Sequence, residues 1–350
     1  MTVSVVITGG AGFLGARLAR ALLAAGVVEV AGGGPRPLAR LTLVDRVPPP
    51  PDLAADQRVT VIRGDLGELL LDTGAAGHAA IAGADVIFHL AAAVSAECEA
   101  DFDLGLRANL GATESLLAAC RAAGTAPVVV FSSSLAVFGA SADQPLPALM
   151  DDHTAPNPQS SYGAQKVIGE QLLADYTRKG FLRGRAVRLM TVSIRPGRPN
   201  AAASGFLSGI IREPLAGQRS TCPVAPATEV ALMSPARAVS GLLRAATCTD
   251  EDWGGRTPVN LPPLTVTVAD MVAALEQVAG PTAAGLIDWI PDPAIAAIVT
   301  SWPARFRFDR ATRLGLTPDP DFASIIESHL GEIRAPSTGA AEPGTWSSGG

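Results

Sequence analysis

The segment VVITGGAGFLG constrains this chain more than any other. Residues 3–7 are an apolar run broken only by Ser4 and rich in β-branched side chains, the pattern of a parallel strand covered on both faces. The run passes into glycines and then into residues 13–25, which have the composition of a helix packed on a sheet. In that setting Gly9, Gly12 and Gly15 have separate mechanical tasks. The first permits the turn, the second lets a pyrophosphate approach the backbone, and the third lets the helix pack closely. The helix N-terminus then offers unpaired N–H groups and a positive dipole end to phosphates. Glycine triplets also arise for steric reasons alone, so the rest of the chain has to decide.

A second strand, residues 41–44, ends at Asp45. A carboxylate there can accept both hydroxyls of an adenosine ribose and repels a 2′-phosphate, which favours NAD over NADP. Arg46 beside it is the nearest thing to a phosphate clamp, and a solvated strand-end aspartate is the plain alternative. Asp65, in the RGDL that closes a third strand (59–62), is expected near the adenine, with a turn aspartate as the alternative. Further strands are expected at 86–90, 128–132 and 186–191, and helices at 105–123 and 162–179. Alternation over this length predicts the α/β class, a doubly wound parallel (Rossmann) sheet.

The insert AGGGPRP lies between the first helix and the second strand, and the proline run VPPPPD after Asp45 is expected to loop outward. After Ile194 the pattern breaks into RPGRPN and shorter mixed elements. The expected division is therefore residues 1–195 as an NAD-binding domain carrying the catalytic residues and 196–334 as a smaller mixed α/β lobe, mainly for substrate. Residues 335–350, rich in Gly, Ser, Pro and Ala, are expected to be a disordered tail.

SSYGAQKVIGE places Tyr162 and Lys166 four residues apart, on one face of a helix. An ammonium beside a phenol favours phenolate and is expected to bring its pKa of about 10 down toward neutrality. Tyrosine then becomes a base able to take the proton of an alcohol as hydride leaves the same carbon. Ser132, Ser133 and Ser134, in FSSSLAVFG, fall at the carboxyl edge where open α/β sheets bind ligands. One of them, Ser134 above all, is expected to hydrogen-bond the reacting oxygen; capping of the following turn is the alternative. His89 lies in the strand run VIFHLAAA and His153 in a loop, and neither is assigned to catalysis.

TGGAGFLG, Asp45, HLAA at 89–92, Asn109, FSSSLAVFG and YGAQK, in that order, resemble the extended short-chain dehydrogenases, the group that contains nucleotide-sugar epimerases and dehydratases. The resemblance implies NAD as cofactor and a catalytic set of Ser134, Tyr162 and Lys166, the lysine also holding the nicotinamide ribose. Cofactor contacts are implied at Gly9, Gly12, Phe13, Leu14, Gly15, Asp45, Asp65, Leu66, Leu90, Ala91, Ala92, Asn109, Tyr162 and Lys166. Phe138 stands where relatives usually carry tyrosine, which removes a hydroxyl from the pocket side. Relatives usually pair, so a homodimer is an expectation that the resemblance brings.

Downstream, VRLMTVSIRPGRPNAAASGFLSGIIREPLAGQRSTCPV is similar to the branch of that family acting on four-carbon sugar acids. This implies oxidation of a C2 hydroxyl to the 2-keto acid. Such a substrate needs a cation for its carboxylate and neutral partners for its hydroxyls. Arg198 and Arg212 are candidates for the first task, with surface or ion-paired roles as the alternative. Ser95, Ser133, Ser134, Tyr162, Asn200 and Ser204 are candidates for the second. The rival readings are a nucleotide-sugar 4-epimerase or dehydratase and a non-catalytic NAD-binding regulatory protein.

Composition narrows the partners. With 48% apolar against 17% charged residues and a net charge of -6, the chain is expected to fold as a globule and to bind a small molecule rather than nucleic acid. No apolar run reaches the roughly 18 to 20 residues that span a bilayer, so no membrane partner is expected. The four cysteines lack the close pairs a zinc site needs, and no metal is expected. Free thiols and an amino terminus without an export signal make the cytoplasm the expected location.

Overall fold

A computed structural model of the protein describes residues 1–71, 74, 76–197 and 204–334. The tail expected at 335–350 lies outside them. The first strands are β1 (Val3–Thr8), β2 (Val27–Val28), β3 (Arg36–Asp45), β4 (Val59–Arg63), β5 (Val86–His89), β6 (Val128–Ser134) and β7 (Arg183–Leu189). There follow β8 (Thr191–Val192), β9 (Ser220–Cys222), β10 (Glu229–Met233), β11 (Val259–Asn260), β12 (Leu264–Thr267) and β13 (Ile287–Trp289).

The main sheet runs β11-β7-β6-β5-β1-β3, with β4 beyond β3, and all these pairs are parallel. Its central strands β1 and β5 and the start of β6 read as mainly apolar runs because both faces are covered. Val5, Ile7, Phe88 and Val130 pack under the Phe13–Ala25 and Pro235–Thr247 helices. Val6, Ile87, Val129 and Phe131 pack with the Ala112–Ala123 helix on the other face. Full burial of each such side chain contributes about 1.5–3 kcal/mol. The sheet winds one way from β1 to β3 and the other from β1 to β5, so a cleft opens at the carboxyl ends of β1 and β5.

Two expectations about the chain's course are corrected. The second strand begins earlier than residue 41: Arg36 and Pro37, within AGGGPRP, begin β3 and pair antiparallel with β2. The insert is also tied down by Gly32 N–H donating to the Thr247 carbonyl at 2.7 Å. Proline is tolerated there because the pairing is a short one at the sheet margin.

The expected boundary at residue 195 falls inside a second lobe, which starts with β8 at residues 191–192. That lobe has a three-stranded sheet, β12-β10-β8, and a β13-β9 pair around Ile210, Leu232, Met271, Leu275 and Phe322. The chain then returns. The Pro235–Thr247 helix packs on β6, β7 and the first helix, and β11 covers the outer edge of β7. An edge of β7 left bare would offer unpaired backbone groups.

The helix Ser161–Arg178 lies directly on β6. A Cβ at Gly163 would stand 2.2 Å from the Ala136 carbonyl oxygen, and one at Gly169 2.7 Å from the Phe131 ring. Gly163→Ala would gain about 1 kcal/mol of helix propensity but overpack by about 1–3 kcal/mol against a backbone atom that cannot turn aside. We expect a net loss, read as a lower Tm in thermal unfolding; an unchanged or raised Tm would contradict this contact.

Candidate active site

Backbone meets backbone at the floor of the cleft. Gly9 turns with φ 72°, and a Cβ there would fall 2.7 Å from the Ala91 nitrogen. A Cβ at Gly15 would fall 2.1 Å from the Gly9 oxygen. Gly12 caps the Phe13–Ala25 helix without a side chain, and no acidic residue occupies the first turn, so the positive helix end is uncompensated. The Arg17 guanidinium covers the Phe13 ring at 4.1 Å.

The cleft encloses about 340 Å³ between Gly9, Gly12, Asp45, Arg46, Asp65, Leu66 and the residues from Leu90 to Ala92. Asp45 reaches back over the glycine turn, accepting from the Ala11 and Val47 N–H groups at 2.9 and 3.2 Å. Asp65 accepts from the Gly67 N–H at 3.0 Å and so caps the Leu66–Leu71 helix while lining the cleft. A cradle without Cβ atoms, an open helix terminus and a strand-end carboxylate fit the pyrophosphate and ribose of NAD.

Ser134, Tyr162 and Lys166 come together at the adjoining end of β6. Ser160 caps the helix by accepting from the Gly163 N–H, and this sets Tyr162 in the first turn, over Ser134. Tyr162 as a residue is half-buried, but the protein packs closely around its hydroxyl. Lys166 is buried; its Nζ donates to the Ser132 carbonyl at 2.8 Å and lies 4.8 Å from the Phe131 ring centre and 5.5 Å from that of Tyr162.

The expected lowering of the phenol pKa by Lys166 is not what the free protein has. Burial pushes Tyr162 up to about 12, while a hydrogen bond from Ser134 and the charge of Arg195 pull the other way. Burial likewise brings Lys166 down to about 8, against the raising influence of Cys98 and Glu170. Desolvation outweighs pairing here, because both charged forms are withdrawn from water into the same packed region.

Other residues take different places from those expected. Ser133 is turned to the opposite side of β6 from Ser132 and Ser134 by strand alternation, and its buried hydroxyl donates to Glu170. Glu170 in turn accepts from Arg188 through two bonds of 2.8 Å, a buried pair that underlies the site. Phe138 is also buried, its ring 4.8 Å from the Arg188 guanidinium, so it faces the core rather than the pocket.

Asn109 sits in a π-helical turn, Leu106–Gly111, not in one regular helix. It accepts from the Ala93 N–H at 2.7 Å and donates to the Ala93 carbonyl and to Gln165, tying the loop after β5 to the catalytic helix. Its polar atoms thus face protein partners. Ser95 is half-buried at the start of the Ser95–Ala100 helix, and Leu14 is half-buried in the first turn after Gly12. His89 bridges Thr8 and Thr113 at 2.7 and 2.9 Å, and burial depresses it to about 3, a neutral core histidine.

Arg198 and Asn200 lie outside the described residues. Arg212 is not a free cation: it pairs with Glu213 and donates to the Arg195 carbonyl at 2.7 Å. Arg195, passed over in the sequence, is the arginine whose charge bears on Tyr162. Its signal was there, inside the same SIRPGRPN string that drew attention to Arg198.

The model of the NAD dependent epimerase/dehydratase family matches residues 5–232. The chain is 48% identical to D-erythronate dehydrogenase of Cupriavidus necator, over 93% of this chain and 98% of that one. It is 40% identical to D-erythronate dehydrogenase of Haemophilus influenzae, over the same shares of the two chains. A solved structure described as a nucleoside-diphosphate-sugar epimerase from Agrobacterium tumefaciens superposes with a TM-score of 0.85 at 40% identity, covering 95% of this chain and 94% of that one. Sheet order, glycine cradle and the Ser–Tyr–Lys cluster agree with the sequence match, and the chain belongs to the NAD dependent epimerase/dehydratase family.

Proposed function

We propose that this protein is an NAD-dependent dehydrogenase that oxidises the C2 hydroxyl of a four-carbon sugar acid, D-erythronate, to the 2-keto acid. The observation that carries the chemistry is the meeting of Ser134, Tyr162 and Lys166 beside a dinucleotide-shaped cleft. Two relatives of nearly equal length, both called D-erythronate dehydrogenase, support the substrate.

In this reading Ser134 and Tyr162 hold the C2 hydroxyl between them, and Tyr162 takes its proton. Bound NAD supplies the acceptor for the hydride leaving C2 and, in its oxidised form, a positive charge that favours a phenolate nearby. Lys166, fixed by the Ser132 carbonyl, keeps a second positive charge under the phenol. Ser134 donates to the oxygen as the ketone forms, stabilising negative charge where it develops. Asp45 is placed to receive the adenosine ribose, and Asn109 to hold the loop that bounds the cleft.

A net charge of -6 supports a small-molecule partner over nucleic acid. No helix among the described residues is long and apolar enough to cross a membrane. Four free, buried thiols support a reducing compartment such as the cytoplasm. Phe102 and Ile168, exposed at 59% and 41%, support a homodimer formed through their helices.

NADH should accumulate when the protein is given NAD and D-erythronate. A nucleotide-sugar epimerase would return its hydride within the turnover and release none, and a non-catalytic NAD-binding protein would form none. Tyr162→Phe should lower kcat by about 10²–10⁴ while NAD affinity stays within a few fold; a variant with near-normal kcat would remove Tyr162 as the base. Asp45→Ala should shift the NAD-over-NADP preference by about tenfold toward NADP, on removal of one like-charge repulsion. An unchanged ratio of kcat/KM values would move discrimination to another residue.

A further inference from the structure

A sugar acid brings a carboxylate into the cleft, and the described cations around Tyr162 differ in how free they are to meet it. Lys166 is buried beneath the phenol, its ammonium on the Ser132 carbonyl. Arg212 already has Glu213 as a counterion. Arg188 is buried on Glu170. Among the described residues no carboxylate pairs with Arg195, although the residue is half-buried.

The chain holds Arg195 by its backbone. It follows β8 and precedes Pro196, a position restricted to extended conformations. Its N–H donates to the Ser208 hydroxyl at 3.0 Å, and its carbonyl accepts from Arg212 at 2.7 Å. One guanidinium nitrogen, Nη2, donates to the Ser204 hydroxyl at 3.0 Å and, less closely, to its carbonyl at 3.4 Å. These partners are neutral. They orient the planar fork but leave its charge uncompensated, and that charge is felt at the Tyr162 hydroxyl.

We propose that Arg195 holds the carboxylate of the sugar acid and thereby aims the neighbouring C2 hydroxyl at Tyr162 and Ser134. This rests on the sugar-acid reading above. C1 and C2 are adjacent in such a substrate, so its carboxylate anchor belongs at the same edge as the base, and Arg195 follows shortly after β7, whose last residue, Leu189, pairs with Ser134. A guanidinium suits the task because it binds a carboxylate by two parallel hydrogen bonds and fixes orientation as well as position.

The test compares D-erythronate with its C1 amide, which keeps every hydroxyl and loses the charge. In wild type the acid should be the better substrate by kcat/KM. Arg195→Ala should collapse the acid-over-amide ratio by about a hundredfold, since one partner of a desolvated charge pair is lost. Added guanidinium ion should restore part of the acid rate to Arg195→Ala, and Arg195→Lys should keep an intermediate ratio. NAD binding by each variant, measured separately, reports a folded enzyme. A ratio that survives in both variants, or a loss shared equally by acid and amide without rescue, would overturn the role of Arg195. Failure of wild type to oxidise either compound would instead overturn the sugar-acid reading itself, and this proposal with it.

Discussion

One helix presses two glycines onto one strand and the turn that follows it, and the site depends on that contact. Gly163 meets the Ala136 carbonyl and Gly169 meets the Phe131 ring, so the Ser161–Arg178 helix sits as close to β6 as its backbone allows. That closeness brings the Tyr162 hydroxyl under the influence of Ser134 and lets Lys166 reach the Ser132 carbonyl. It also excludes water, which is why both charged forms, phenolate and ammonium, are less favoured in the free protein than in water, Lys166 still being mostly protonated at neutral pH. Packing and proton chemistry are here the same fact seen at two scales.

The layers behind the contact keep it rigid. Ser133 of β6, Glu170 of the same helix and Arg188 of β7 form a buried chain of charge-assisted hydrogen bonds, and Phe138 stacks on its cationic end. A buried ion pair is weak evidence of net stability, but leaving either partner alone would be costly, so the three groups fix one another's positions. Nearer the start of the helix, Asn109 in its π turn binds Ala93 and Gln165 together. The cleft wall and the catalytic helix therefore move as one body.

Much of this was legible in the sequence because it is local. The strand–glycine–helix run, Asp45 at a strand end, and a tyrosine and lysine four residues apart each lie within a short window, and the fold follows from their alternation. What escaped was set by contacts between distant segments. The start of β3 at Arg36 depends on pairing with β2, and the return of the chain after Met233 depends on an edge of β7 needing cover. Ser133 was misassigned because three adjacent serines look alike until strand alternation sends the middle one to Glu170. Arg195 and Arg212 differ only in whether Glu213 is at hand. The direction of the Tyr162 pKa was misjudged because spacing reveals a nearby cation but not the water that has been removed.

The chain's two tyrosines, Tyr162 and Tyr176, make the central claim directly measurable. Tyrosine labelled with ¹³C at Cζ, in wild type and in Tyr176→Phe, reports the ionisation of each phenol by NMR as pH is raised. The account predicts that Tyr162 in the free protein stays protonated well above the ordinary tyrosine range, toward about 12, and that its pKa falls when NAD is added. Titration of Tyr162 near an ordinary value of about 10, unmoved by NAD, would contradict it.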